Sequence, residues 1–141
     1  MYSIILRSDD KIMGENNDFT IQLSDVLPQL ECGCKYKVKL SNCIISQLTD
    51  NISGYVELRI RIGSTTLYDS QIKAYSSELI FFLPDQNDNA IVSRTGEQPE
   101  FMVESFNYNN IEVKILDSNG DYLDVDGSPN KVIIVLTFEK V

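Results

Sequence analysis

The chain has 141 residues, 43% hydrophobic and 23% charged, which is the length and balance of one globular domain that buries a core without staples. Its 12 basic residues against 21 acidic ones leave a formal charge of −9, so bare nucleic acid and anionic membrane surfaces are poor partners for the chain as a whole. With no histidine it lacks the commonest general base, the Ser-His and Cys-His nucleophile pairs and any His-based metal centre.

The chain opens on MYSIILRSDD, which has no basic start and only a short apolar run, so neither a signal peptide nor a membrane-spanning helix is expected there. Ser3 to Arg7 reads as a short apolar strand, and Asp9 to Asp18 as a polar loop. Asp18 to Leu23 places Phe19, Ile21 and Leu23 on one strand face. Ser24 to Leu30 has room for one helical turn, capped by Ser24 and ended near Pro28. Cys32, Cys34 and Cys43 are odd in number and are expected as reduced thiols; a zinc site would need a further nitrogen or sulfur ligand.

Tyr36 to Ile45 is a longer strand whose alternation slips near Ser41-Asn42, the mark of a β-bulge. Lys35, Lys37 and Lys39 share the face opposite Tyr36, Val38 and Leu40 and read as a solvated strand face. Tyr55 to Ile62 is the cleanest alternation: Val56, Leu58, Ile60 and Ile62 face in, while Glu57, Arg59 and Arg61 face out. Gly63-Ser64 then predicts a tight turn and a hairpin to a strand over Thr66–Asp69. Ser77 to Leu83 is apolar on both faces. Pro84 to Pro99 reads as a long surface loop interrupted by Ile91-Val92, and Phe101 to Phe106 as another strand.

The last third carries the clearest pattern. Ile111, Val113 and Ile115 alternate with Glu112 and Lys114, as in a half-buried strand. A turn at Asp117-Ser118-Asn119-Gly120, a short Tyr122-Leu123 segment and a second turn at Asp126–Asn130 follow. The closing run places Val132, Ile134, Leu136 and Phe138 on one face and Ile133, Val135 and Thr137 on the other, so both faces are largely apolar. Such a strand lies inside a sandwich, or its outer face meets another molecule.

Asp117, Asn119 and Asp121 stand at the 1, 3 and 5 spacing of a calcium loop, but Tyr122 replaces the required glycine and Ser128 the bidentate glutamate. A hairpin turn through Asn119-Gly120 accounts for the same residues. No carboxylate pair is singled out by its spacing and no glycine-rich phosphate loop is present, so neither an enzyme nor a cofactor site is expected. Roughly eight to ten strands with turns between them and no helical periodicity predict a single domain over residues 1–141, an antiparallel two-sheet β-sandwich. Tyr2, Tyr68, Tyr75 and Tyr108, near strand ends, keep open a non-enzymatic module that recognises a glycan or a protein.

Two segments carry a resemblance. Asn16 to Ser46, NNDFTIQLSDVLPQLECGCKYKVKLSNCIIS, has the form F-T-x-x-L, a spacer, then an apolar Y-x-V-x-L strand. The closing segment is an I-x-V-x-I strand, D-x-x-G, and an apolar strand finishing in T-F-E-K. Over about half of the chain these resemble the jelly-roll vertex (penton-like) and minor capsid proteins of eukaryotic double-stranded DNA viruses, including virophages, giant viruses and Polinton-type elements. The chain departs from those relatives in its near-minimal length and in Tyr36, where they often carry tryptophan.

The resemblance implies a single jelly roll of about eight strands acting without catalysis. It would be made in the host cytoplasm and built into the virion as a homopentamer that closes a fivefold vertex against major capsid proteins. A ring of copies joined head to tail needs two different adhesive surfaces on each subunit. The doubly apolar strands make Ile80, Phe82, Ile133 and Val135 the candidate assembly residues.

Overall fold

The period-2 patterning becomes an all-β structure. A computed structural model of the chain describes residues 2–22, 34–46, 55–62, 64–65, 67–69, 74–76, 78–84, 90–94, 100–104, 110–125 and 131–141. In chain order the strands are β1 (Tyr2–Arg7), β2 (Met13–Glu15), β3 (Asp18–Gln22), β4 (Lys35–Ser46), β5 (Tyr55–Arg61), β6 (Ser64–Thr65), β7 (Leu67–Asp69), β8 (Ala74–Ser76), β9 (Glu78–Pro84), β10 (Ala90–Arg94), β11 (Phe101–Glu104), β12 (Asn110–Asp117) and β13 (Val132–Lys140). Among the described residues the only helical element is a 3₁₀ turn at Ser8–Asp10. The expected helical turn over 24–30 and the turn over 126–130 lie outside the described residues, as does Leu23.

Every strand pair is antiparallel. One sheet runs β1-β13-β4-β11-β6, with β10 also paired to β4; the other runs β2-β3-β12-β5-β9; β7 and β8 form a separate ribbon. β10 lies along residues 42–46 of β4 and β11 along residues 35–38 of the same edge, so the two together occupy the place of one interrupted strand. The pairing is nested: β1 with β13, β3 with β12, β4 with β10 and β11, β5 with β9. β13 then joins β4 in one sheet and β12 joins β5 in the other.

Alternation builds the core. Along β5, Val56, Leu58 and Ile60 are buried and Glu57, Arg59 and Arg61 are not, and Ile62 just beyond is buried as expected. Along β12 and β13 the same period buries Ile111, Val113 and Ile115, then Val132, Ile134, Leu136 and Phe138. Side chains of both sheets share one hydrophobic cluster. Each fully buried aliphatic or phenyl side chain contributes about 1.5–3 kcal/mol to holding the sheets together. Phe81 of β9 meets Phe101 of β11 edge to face, with ring centroids 5.2 Å apart, and joins the two sheets directly.

The suspected bulge is present. Val135 faces Asn42 while the next residue, Leu136, faces Leu40, so Ser41 is the extra residue in β4. The slip inverts the strand's facing: Tyr36, Val38 and Leu40 point inward, and beyond the bulge Cys43 and Ile45 do, leaving Asn42 and Ile44 outside. Burial pushes the Cys43 thiol up to about 12, which keeps it neutral in the core.

Three expectations are corrected. The predicted hairpin from β5 across Gly63-Ser64 does not form: both edges of β5 are taken, by β12 and β9, so β6 pairs with β11 and β7 with β8. The polar loop over Asp9–Asp18 contains β2, whose residues are all exposed and therefore leave no apolar signature. The loop over Pro84–Pro99 contributes β10, which pairs with β4 around the expected interruption at Ile91-Val92.

Loops at one end are pinned together. The Ser8 hydroxyl accepts the Val132 N–H at 3.2 Å, and Asn17 Nδ2 donates to the Leu123 carbonyl at 2.9 Å. Lys11 Nζ donates to the Ser8 carbonyl and to Asn16 Oδ1. The Asp117 carboxylate accepts the N–H groups of Asn119 and Asp121, which shapes the expected turn at Gly120.

Two outcomes test this account by urea unfolding. Phe81→Ala removes the ring that joins the sheets and costs about 3–5 kcal/mol. Gly14 and Gly120 both have positive φ, but a Cβ at Gly120 meets nothing within 4 Å whereas one at Gly14 falls 2.1 Å from the Asp18 carbonyl oxygen. Gly120→Ala therefore costs the backbone strain alone, about 1–2 kcal/mol, and Gly14→Ala costs more.

Candidate assembly surfaces

The four candidate residues fall on two opposite outer faces. Ile133 and Val135 lie on the outside of the six-stranded sheet, Ile80 and Phe82 on the outward-facing positions of the edge strand of the five-stranded sheet. The sequence groups them by strand; the fold separates them by the thickness of the sandwich.

On the six-stranded sheet the register builds successive rows across three strands. Arg7 lies opposite Ile133, which lies opposite Ile44; Ile5 lies opposite Val135, which lies opposite Asn42. Ile5 is 41% exposed and Ile44 39%, with Ile133 and Val135 half-buried between them. The next row is polar: the Thr137 hydroxyl bonds with those of Ser3 and Ser41. Beyond it the lysine face appears as expected, with Lys39 3.2 Å and Lys37 3.6 Å from the Glu100 carboxylate. The hydrogen bond from Lys39, aided by the nearby charge of Lys37, holds the Glu100 carboxyl below its ordinary value. The face thus passes from an aliphatic stripe through hydroxyls to a basic end.

Ile5 and Ile44 complete the stripe and are not among the residues picked out from sequence. Ile44 is hidden there because an unbroken alternation from Tyr36 would point it inward; only the bulge turns it out. The slip at Ser41-Asn42 is the signal that could have found it.

On the five-stranded sheet, Phe82 is 48% exposed and packs edge to face on Tyr55, which is 39% exposed, at 5.3 Å between centroids. Ile80 is only 8% exposed, so Phe82 carries the accessible apolar surface of that strand. Glu57 lies between Phe82 and Leu116 in register, and Tyr122 bridges Leu116 on its other side. Arg59 clamps Glu57 at 2.8 Å, and Arg61 reaches Glu112 across the strands at 3.5 Å. Met13 is exposed at the opposite edge.

The described residues contain no group of three or more Cys, Asp or Glu able to hold a metal ion. Among them, too, no helix is long and apolar enough to cross a membrane. Of the tyrosines near strand ends, Tyr68 and Tyr75 are register partners in the small ribbon, and Tyr108 lies outside the described residues.

The two sides of β4 beyond the bulge are separable by a pair of substitutions. Ile44→Lys places a charge on the outside and shifts stability by no more than about 0.5 kcal/mol, whereas Ile45→Lys buries an unpaired ammonium and unfolds the domain, as read by circular dichroism. No family model and no curated protein matches this chain.

Proposed function

We propose that the chain is a structural virion protein of single jelly-roll type, the penton that closes the fivefold vertices of an icosahedral capsid. The observation that carries this reading is the nested strand pairing. A jelly roll is a long antiparallel ribbon wrapped on itself, so its first strand pairs with its last, its second with the one before, and so inward, with successive pairs in alternate sheets. Counting β10 and β11 as one interrupted strand, the sheet orders β1-β13-β4-(β10, β11) and β3-β12-β5-β9 support that reading. β2 and β6 extend the edges.

The opposed apolar faces support the assembly role. A subunit joined head to tail to its neighbours uses one surface to give and another to receive, and Ile133 and Val135 lie on one side of the sandwich with Phe82 on the other. The work done is adhesion: burying exposed aliphatic and aromatic area against neighbours, with major capsid proteins meeting the ring around its rim. Location in the virion follows from that role.

Native mass measurement and electron microscopy of the purified protein test the reading. The expected particle is a ring of five copies, which copurifies with virions. A chain that stays monomeric at every concentration, and binds glycans through Tyr55 and Phe82 or turns over a small molecule, overturns it.

A further inference from the structure

We propose that the outer face of the six-stranded sheet receives the outer face of the five-stranded sheet of a second copy of this chain, by opposite charge around matching apolar spots. The proposal rests on the assembly reading above and names the surfaces it uses.

The charge is divided between the sheets. The chain carries −9, yet the outward register positions of the six-stranded sheet hold Arg7, Lys35, Lys37, Lys39 and Arg94 against only Glu104 and Glu139, a net +3. The outward register positions of the five-stranded sheet hold Arg59, Arg61 and Lys114 against Glu15, Asp18, Glu57, Glu78 and Glu112, a net −2. Glu100, just before β11, offsets part of Lys37 and Lys39, and Lys131, just before β13, restores it. Two copies of so acidic a molecule repel in most orientations. The exposed aspartates of the pinned loop end, Asp9, Asp10, Asp121 and Asp124, add to that repulsion. The basic sheet is the surface on which an acidic neighbour is attracted.

Charge alone leaves the neighbour's orientation open, and the apolar groups choose it. The stripe of Ile5, Ile44, Ile133 and Val135 needs an apolar counterpart inside a charged surround, the usual anatomy of an interface. On the five-stranded face the Tyr55–Phe82 pair supplies it, surrounded by paired and unequal charges. The contact is head to tail, so each copy keeps one basic and one acidic face open for the next.

Two double variants and their mixture test the contact by sedimentation velocity, with melting curves to confirm that each is folded. Arg7→Glu with Lys35→Glu makes both faces acidic; Glu15→Lys with Glu112→Lys makes both basic. Wild-type association weakens at least about tenfold between about 0.01 M and about 1 M ionic strength, as the screening length falls from about 30 to about 3 Å. Each variant alone loses association by a similar factor at low ionic strength. The equimolar mixture regains it, and because unlike copies must alternate it closes no ring of odd copy number. Variants that associate as the wild type does, or a mixture that fails to recover, overturn the contact and leave the assembly reading standing. A wild-type chain that is monomeric at both ionic strengths overturns both.

Discussion

The register between β4 and β13 is the constraint on which the rest of the structure depends. Nine positions of β13 pair with β4, and a single extra residue, Ser41, divides that pairing into two segments of opposite phase. On one side of the bulge Tyr36, Val38 and Leu40 fill the core; on the other Cys43 and Ile45 do. A one-residue slip exchanges the two faces of a strand, so the same residue that keeps Cys43 and Ile45 inside also turns Ile44 out. The interruption between β10 and β11 falls at the same level, since β10 follows β4 from Asn42 onward and β11 follows it up to Val38. Bulging sharpens the local twist, and one continuous partner strand would have to follow that bend.

From that register comes the surface. β13 is covered on its inner face by the other sheet and flanked by β1 and β4, so Ile133 and Val135 are half-buried by neighbours in their own sheet rather than by a second layer. The aliphatic stripe is therefore a product of three strands, each contributing one or two residues. On the opposite side the apolar surface is aromatic and sits at an edge, where β9 has β5 on one side and presents Phe82 beside Tyr55. The two faces differ in chemistry as well as position: one is aliphatic with lysines, the other aromatic with carboxylates and arginines. That difference is what supports the assembly role proposed above.

The strands with a buried face were legible. Alternation located β3, β4, β5, β12 and β13 to within a residue or two, because each places apolar side chains in one core at period two, and an unbroken apolar run located β9. β2 and β10 escaped. β2 is exposed along its length, and β10 offers only the two-residue apolar run Ile91-Val92, too short to show a period. The hairpin expected at Gly63-Ser64 failed for a different reason: turn chemistry describes what a chain can do locally, while β5 had already committed both edges to distant partners.

Of the candidate surfaces, sequence named the doubly apolar strands and left the neighbours unknown. Phe82, Ile133 and Val135 could be picked because they break the polar-outside rule within their own strands. Ile5 and Ile44 could not, since exposure there depends on register across strands and on the bulge. By itself the sequence determined the all-β character, the inward face of each core strand and the lack of histidine, since these are properties of side-chain type and spacing along one segment. Tertiary structure decided the nested pairing, the separation of the candidate residues onto opposite faces and the division of charge between the sheets, because each arises from which distant strands share an edge.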